Sequence, residues 1–370
     1  MPDDDRLARV VLSRAVEPGD LTSASLVQQL GAVGALEAQL EPRADSQLAH
    51  RLRAVDPVRE LEQADRQGIR FLVPGDEEWP ESLDDLEHGA QVQQMGGTPP
   101  GLWVRGPMPL TALGTSVAVV GARAASVYGV EVARAMAGHV AGAGVPVVSG
   151  GALGIDQAAH DGALRARGAT VAVLACGVDR VYPESNRELL AHLASEFAVV
   201  SEQAPGSTPT RIRFLARNRL IAALTRATVL VEAALRSGAL NTVGWADQLS
   251  RPVMCVPGPV TSYTSQGVHQ WFRRGAATLV THGREVLEVV GVAGEHLVEE
   301  PRGDDRPRDR LGAADRLVLE QVPVSSPADV ARIARACALH VRDTDRALRR
   351  LEAAGFVRGD AAGWRLAGAE

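Results

Sequence analysis

Short uninterrupted runs of apolar residues recur through the middle of the chain, and longer stretches with helical spacing separate them. An apolar run without polar alternation is typical of a β-strand that is buried on both faces. Strands that alternate with helices predict a parallel sheet covered by helices on both sides, an α/β fold whose ligands bind at the carboxyl ends of the strands. The predicted strands are residues 117–120, 145–148, 171–174, 197–200, 229–231, 253–256 and 278–280.

The start of the chain shows helical spacing instead. Leu7 and Val11 stand one helical turn apart, and a second helical segment is interrupted at Gly31. We therefore expect an N-terminal helical domain over residues 1–66 and the α/β core over residues 67–295.

The end of the chain predicts a winged-helix domain over residues 311–370, after a polar linker at 296–310. Three helical stretches precede two short strands around a Gly/Asp turn, which is the winged-helix order. The third helix places four arginines on one stripe, which is either a surface that faces nucleic acid or a solvated face. These arginines are Arg342, Arg346, Arg349 and Arg350.

Composition limits the function classes. Mean hydropathy is −0.03, and no apolar run reaches the ~18 residues of a membrane span, so no membrane partner is expected. The acidic first five residues lack the apolar stretch of a secretory signal. Three widely spaced cysteines form neither a disulfide framework nor a zinc pattern. We expect a protein of the reducing cytoplasm that needs no cofactor.

The chain contains no lysine, because all 39 basic residues are arginine. This absence excludes a Walker A loop, whose lysine reaches the β- and γ-phosphates of a nucleotide. It also excludes Schiff-base chemistry on lysine, including that of pyridoxal phosphate enzymes.

Charge is unevenly distributed along the chain. Residues 1–100 hold 9 Arg and 19 acids, a net charge of −10, whereas residues 101–290 hold 17 Arg and 12 acids, a net charge of +5. The basic middle is where an anionic ligand would bind. Within residues 203–231 no acid separates five arginines, which we expect to be unpaired and to act together unless they form a solvated face. They are Arg211, Arg213, Arg217, Arg219 and Arg226.

Gly-rich loops follow several predicted strands. In the loop 121–129, free backbone N–H groups and the dipole of the next helix would attract a phosphate, and Arg123 adds a planar fork of donors. The loop 149–156 combines small residues with another helix start. Several such loops at one sheet edge suit an extended polyanion better than one nucleotide. The further loops are 217–219, 236–242 and 257–259.

Each feature also has a structural interpretation. Arg123 is compatible with internal pairing across a tight turn. Asp156 stands where a general base could act, but a capping role is favoured at a helix start. His160 follows on the same helix with no close Cys partner or metal-ligand pattern, so a structural role is favoured.

The loop sequences occur in the order of a known family, and the chain resembles the DprA or Smf family of bacterial DNA-processing proteins. The resemblance is strong over the middle two-thirds of the chain and weaker at both ends. Each motif is weak alone, but seven in register are very specific. The motifs are Gly121-x-Arg123-x-x-Ser126-x-Tyr128-Gly129, Ser149-Gly150-Gly151-Ala152-Leu153-Gly154-Ile155-Asp156, Tyr182-Pro183, Phe214 with Arg217-Asn218-Arg219, Val231-Glu232, Ser237-Gly238-Ala239-Leu240-Asn241-Thr242 and Val256-Pro257-Gly258.

The resemblance implies an extended Rossmann fold that binds single-stranded DNA in a basic groove without catalysis. It also implies an N-terminal domain of the SAM or helix-hairpin-helix type, homodimerisation, and loading of RecA onto incoming DNA in natural transformation. DNA contact is assigned to Arg123 foremost. The full set of expected DNA-binding residues is Gly121, Arg123, Ser126, Tyr128, Ser149, Gly150, Gly151, Arg211, Arg213, Arg217, Asn218, Arg219, Ser237 and Gly238.

Two other classes stay open. A nucleotide-processing hydrolase on a related fold needs a positioned base and a phosphate loop, which residues 237–242 only approximate. A winged-helix transcription regulator would bind duplex DNA sequence-specifically through the tail. Nucleotide hydrolysis above background distinguishes the first class, and competition between single-stranded and duplex DNA distinguishes the second.

Overall fold

The computed structural model describes residues 3–40, 47–87, 91–292, 294–297 and 305–368. It divides into two compact units, Met1–Val298 and Glu299–Glu370. Among the described residues, no helix is both long enough and apolar enough to cross a bilayer.

The strands fall into one large sheet and two small hairpins. In chain order they are β1 Ile69–Leu72, β2 Gln91–Val92, β3 Met95–Gly96, β4 Leu102–Arg105, β5 Val117–Val120, β6 Val147–Ser149, β7 Thr170–Val173, β8 Ala198–Ser201, β9 Ala227–Leu230, β10 Val253–Cys255, β11 Thr278–Leu279, β12 Val357–Asp360 and β13 Gly363–Leu366.

The α-helices flank the large sheet or form the ends of the chain. They are α1 Asp4–Ala15, α2 Leu21–Leu40, α3 Gln47–Arg53, α4 Pro57–Arg66, α5 Val127–Gly142, α6 Ile155–Arg165, α7 Arg187–Glu196, α8 Arg211–Leu224, α9 Ala239–Gln248, α10 Gln266–Arg273, α11 Gly283–Val290, α12 Ala313–Gln321, α13 Val330–Cys337 and α14 Val341–Ala353.

The large sheet has nine strands in the order β1-β4-β8-β7-β6-β5-β9-β10-β11. The seven strands from β8 to β11 run parallel, as their apolar runs predict, and every residue of β5 to β9 is buried. The fold is therefore α/β with a mostly parallel sheet. Strand β1 overlaps the strand-like residues 71–74, whereas β4 was not expected from the sequence. Strand β4 pairs antiparallel with both β1 and β8. Trp103 of β4 is fully buried there, opposite Ser201.

Helices cover both faces of this sheet. On one face α5, α6 and α11 bury apolar residues against β5, β9 and β10. On the other face α8, α9 and α10 do the same, with Trp245 and Trp271 in the core. Helices α5 and α6 can approach closely because residue 162 is glycine. A Cβ at this position would lie 2.1 Å from the carbonyl oxygen of Arg134. This layering leaves the loops at the carboxyl ends of the strands as the accessible part of the core.

The N-terminal helices pack on the sheet within the same unit. Arg6 donates to the carbonyl of Phe71 at 2.8 Å, and the hydroxyl of Ser13 donates to the carbonyl of Glu202 at 2.9 Å. Helix α2 is interrupted at Gly31, whose φ of +73° favours glycine. The boundary between residues 66 and 67 stays a prediction.

The C-terminal unit contains α12, α13 and α14 followed by the antiparallel β12–β13 hairpin. Val318, Ile333 and Leu348 lie in its core. This is the predicted order of elements, and its classification as a winged helix stays a prediction. Of the predicted linker, residues 298–304, including Gly303 and Asp304, lie outside the described residues.

The arginine stripe of α14 is largely neutralised by acids of its own unit. Arg346 pairs with Asp343 at 3.7 Å and Arg349 with Asp345 at 2.9 Å. Arg350 pairs with Asp315 of α12. The stripe therefore offers little free positive charge.

Candidate functional site

An open cleft of about 1310 Å³ lies at the carboxyl ends of β5 and β9. The chain continues from β5 to β6 on one side and returns later to β9 on the other, so this is the point where the strand order reverses. Ligands of open α/β sheets bind at such a point. The β5–α5 loop, the start of α8 and the β9–α9 loop line the cleft.

The structure brings half of the predicted DNA-binding residues to this cleft. Those that line it are Gly121, Arg123, Arg211, Arg217, Asn218, Ser237 and Gly238. The remaining predicted residues lie behind or beside it, where their polar groups have internal partners or their backbone shapes the loops. These are Ser126, Tyr128, Ser149, Gly150, Gly151, Arg213 and Arg219.

Arg123 is the most prominent free cation in the cleft. It is exposed, and its guanidinium carbon lies 4.5 Å from the ring centroid of Phe214. Within the described part of the chain, neither Arg123 nor the exposed Arg211 and Arg236 of the same cleft has a hydrogen-bonded or ion-paired carboxylate. A guanidinium that stacks on a ring keeps its donor edge available for a phosphate oxygen.

Arg217 supplies positive charge from the floor of the cleft. It is only 6% exposed, and Nη1 donates to the carbonyl of Val173 at 3.0 Å while Nε has no partner. The side chain fits because residue 150 is glycine, where a Cβ would lie 1.6 Å from Nη1. Burial lowers the pKa of Arg217 to about 10, against the opposing charge of Asp156, so it stays protonated at neutral pH.

Asp156 braces the second Gly-rich loop. Its carboxylate accepts from the backbone N–H of Gly150 at 3.2 Å, so this donor of the loop is not available to a ligand. Burial raises the pKa of Asp156, and the nearby charge of Arg217 opposes the rise. The predicted capping role is wrong, because the N-cap of α6 is Gly154 and Asp156 lies inside the first turn. Its bond to Gly150 still favours a structural role over a general base.

A buried carboxylate also occupies the turn before α5. Glu232 accepts from the backbone N–H of Ser126 at 2.9 Å and from its hydroxyl at 2.5 Å. The Ser126 hydroxyl in turn accepts from the backbone of Gly129 at 3.0 Å and caps the helix. The expected free N–H groups at this turn are thus partly engaged, and Arg123 is what the turn presents to a ligand.

The basic stretch predicted to act as one surface is divided by the fold. Arg213 pairs with Glu17 at 2.8 Å, and Arg219 forms a bidentate pair with Glu202 at 2.6 Å. Arg226 lies at the amino end of β9, at the opposite edge of the sheet. The prediction that these arginines are unpaired is therefore wrong for Arg213 and Arg219.

The other predicted residues outside the cleft shape its loops. The hydroxyl of Ser149 is buried and donates to the carbonyl of Val119 at 2.7 Å. Gly151 has a φ of +64°, and Tyr128 donates to the carbonyl of Pro257 at 2.6 Å. In the cleft itself, the side-chain amide of Asn218 donates to the carbonyl of Gly238 at 3.2 Å.

Two aromatic rings that were not among the predicted binding residues form a platform in the cleft. Tyr182 packs against Phe214 with ring centroids 5.5 Å apart, and both line the cleft beside Arg123. Tyr263 lies at the rim. The available signal was rarity, because the chain has only three tyrosines and all three lie at this edge of the sheet. Arg236, the first residue of the loop 236–242, also lines the cleft, although it was not among the predicted binding residues.

The described residues contain no group of three or more His, Cys, Asp or Glu side chains that could hold a metal ion. His160 is fully buried, with Nδ1 2.8 Å from the hydroxyl of Thr170. That hydroxyl donates to the carbonyl of Val147 at 2.8 Å, so it accepts from a protonated Nδ1. The geometry agrees with the structural role expected for His160.

Comparison with known proteins places this arrangement in one family. Residues 70–291 match the family model of DNA recombination-mediator protein A. A DNA processing protein DprA of Mycobacterium tuberculosis is 41% identical, over 99% of this chain and 95% of that protein. The chain therefore belongs to the DprA/Smf family of DNA-processing proteins.

Two solved structures share the fold. DprA from Streptococcus pneumoniae superimposes with a TM-score of 0.63 at 28% identity, covering 78% of this chain and 98% of that one. DprA from Helicobacter pylori gives a TM-score of 0.52 at 25% identity, covering 60% of this chain and 94% of that one. The Helicobacter structure concerns the binding of single-stranded DNA by that protein.

Proposed function

We propose that this protein binds single-stranded DNA in the cleft between β5 and β9. The observation that carries the proposal is the Arg123–Phe214 stack, which places an unpaired guanidinium on a ring at the switch point of the sheet. Arg211, Arg217 and Arg236 extend the positive field along the same cleft. Phosphates are bound by the arginines, and bases stack on the rings.

The shape of the cleft favours a strand over a single nucleotide. Small-molecule sites usually occupy ~300–1,000 Å³, and this cleft is larger, at about 1310 Å³, and open. Unstacked bases are available to aromatic side chains only in a single strand, because a duplex buries the base faces. The Tyr182–Phe214 pair therefore supports single-stranded over duplex DNA.

The predicted contact residues take different roles in this proposal. Arg123, Arg211 and Arg217 provide charge to the backbone of the strand. Asn218, Ser237 and Gly238 shape the wall formed by the β9–α9 loop, while Gly121 lets the β5–α5 turn close against Glu232. Residues behind the cleft, such as Ser126 and Ser149, hold these loops in place.

The proposal includes the wider role implied by the family. We place the protein in the cytoplasm as a homodimer that protects incoming single-stranded DNA and loads RecA onto it, without catalytic activity of its own. Membership of the DprA/Smf family supports this role. The C-terminal unit, as a winged helix, is accessory to the cleft.

The test is fluorescence anisotropy with a labelled single strand at several salt concentrations, with duplex competitor and then with RecA. We expect tight binding that weakens with salt, poor competition by duplex, and faster RecA filament formation on protein-bound strands. Equal or better competition by one duplex sequence would indicate a transcription regulator. Nucleotide hydrolysis above that of a heat-inactivated sample would indicate a hydrolase.

A further inference from the structure

An exposed apolar surface adjoins the cleft on the side of α5 and the β10–α10 loop. We call it the tyrosine surface and define it by Val127, Tyr128, Val260 and Tyr263. All four are exposed, Tyr263 by 64% and Val260 by 86%. Only 4% of the residues in the chain are aromatic, so two exposed tyrosine rings on neighbouring segments, the start of α5 and the β10–α10 loop, are an unusual concentration.

The backbone under these side chains is held firmly. The hydroxyl of Tyr128 donates to the carbonyl of Pro257 at 2.6 Å, which ties α5 to the β10–α10 loop. Thr264 donates its hydroxyl to Glu232 at 3.0 Å, and its carbonyl accepts from Ala233 at 2.7 Å. Tyr263 therefore projects into solvent from a segment whose next residue is buried and pinned to the end of β9.

Aromatic rings that are exposed on a firmly held backbone are unusual, because they do not pack into a core. A large apolar side chain in solvent contributes little to stability, so a cluster of such side chains marks a binding surface. Here the Tyr128 ring is also held by its hydroxyl bond to Pro257, which reduces the conformational entropy lost when a ligand stacks on it.

The charged residues around the tyrosine surface indicate which class of ligand it can bind. Within the segments 121–130 and 257–266 Arg123 is the only charged residue. The buried carboxylate of Glu232 is satisfied by three donors from Ser126 and Thr264. Along the chain, the first carboxylate after residues 121–130 is the exposed Glu131 of α5. An uncharged aromatic surface that continues an arginine-lined cleft suits a polyanion that carries flat apolar groups.

We infer that Tyr128 and Tyr263 form a second base-stacking subsite, where the single strand leaves the cleft. The inference rests on the proposed function and deepens it, since it gives the strand a path from the Arg123–Phe214 stack across the rim at Tyr263. Base stacking on an aromatic side chain tolerates any sequence, so this subsite adds affinity with strand length and not with sequence.

A ladder of oligothymidylates, from about 4 to about 16 nucleotides, tests the inference on the full-length protein. We expect affinity to rise once the strand is long enough to reach Tyr263. In Tyr263→Ala the ratio of long-strand to short-strand affinity should fall about tenfold, whereas Tyr263→Phe, which keeps the ring, should retain it. Val292→Ala, also 64% exposed, is the matched control and should keep the wild-type ratio.

Abasic extensions separate stacking from backbone contact. If the extra nucleotides carry no base, the gain with length should be lost in the wild type and Tyr263→Ala should have no further effect. A Tyr263→Ala protein with the wild-type ratio of long-strand to short-strand affinity would overturn the inference. If that protein also had a changed sedimentation coefficient, the surface would instead be assigned to a second copy of the chain. If the wild type binds no oligonucleotide at any length, the proposed function itself fails.

Discussion

The guanidinium of Arg219 and the carboxylate of Glu202 form a buried bidentate ion pair, with both N–O distances at 2.6 Å. Their side chains are 1% and 6% exposed. Two residues earlier in the chain, Arg217 carries a similarly buried guanidinium, and no carboxylate of the described residues lies within ion-pair distance of it. The two arginines of the Arg217-Asn218-Arg219 motif therefore have different roles. Arg219 contributes to stability, and Arg217 contributes to the positive charge of the cleft.

The Arg219–Glu202 pair should matter for folding. Removing one partner leaves an uncompensated buried charge, so Arg219→Ala should lower the free energy of unfolding by ~3–5 kcal/mol. Urea unfolding measures this loss, with the exposed Arg211→Ala expected within ~0.5 kcal/mol of wild type. An Arg219→Ala protein as stable as wild type would show that the pair contributes no net stability.

Arg123 should matter for binding and not for folding. Because Arg123 is exposed and unpaired, Arg123→Ala should cost ~1.5–3 kcal/mol of single-strand affinity for every sequence, as expected for a lost charge-assisted bond. One lost phosphate contact should also flatten the salt slope by ~0.7. Anisotropy at several salt concentrations measures both quantities.

Arg226→Ala is the matched control, since Arg226 is exposed at the opposite edge of the sheet. It should bind with nearly the affinity of wild type. Equal losses in the two variants would mean that the strand responds to net charge and not to the cleft.

Gly150 should be intolerant of a side chain. A Cβ there would lie 1.6 Å from Nη1 of Arg217, so Gly150→Ala must displace the guanidinium. We expect a loss of stability of ~1–3 kcal/mol from overpacking, together with weaker strand binding as the charge leaves the cleft floor. Gly244→Ala, in the interior of α9 with no atom within 4 Å of its Cβ, should be neutral or stabilising.

His160 should make stability depend on pH. Burial, with the charge of Arg217, lowers the pKa of His160 to about 3. In the unfolded chain it ionises near pH ~6.5. Between these values the unfolded state binds one more proton, so the free energy of unfolding falls as pH falls, by up to ~1.4 kcal/mol per pH unit.

Urea unfolding at about pH 7.5 and about pH 5 measures this effect, with a loss of ~2 kcal/mol expected for wild type. His160→Gln, which does not titrate, should lose less over the same interval, whatever its stability at neutral pH. His192→Gln, at an exposed position of α7, is the control and should follow wild type. Identical losses in all three proteins would assign the pH dependence to other groups.

The C-terminal unit should be dispensable for strand binding. The cleft residues all lie in the unit Met1–Val298, and three of the four α14 arginines are paired within their own unit. Deleting residues 305–370 should therefore leave single-strand affinity within about tenfold, or ~1.4 kcal/mol. A folded truncation that no longer binds would place the principal DNA site in the tail.

The sequence by itself determined the parallel part of the sheet and the edge at which the site lies. Apolar runs such as Val117–Val120 are buried on both faces, so each predicts a strand with little dependence on context. The unpredicted strand Leu102–Arg105 follows a Pro/Gly-rich passage, and its burial depends on antiparallel partners that are distant in sequence. The position of Arg123 in the turn after β5 was likewise readable from the strand–turn–helix order, whereas the choice between an exposed and an internally paired side chain was not.

Only the tertiary structure decided which polar groups stay free. Glu17 reaches Arg213 from the N-terminal helices, and Glu232 reaches the turn before α5 from the next strand of the sheet. These carboxylates come from segments that no local pattern links to their partners, because the free energy of an ion pair or a cap depends on distance in space and not along the chain. The same packing brings Phe214 under Arg123 and separates Arg226 from the cleft, which turns a basic sequence into a binding surface.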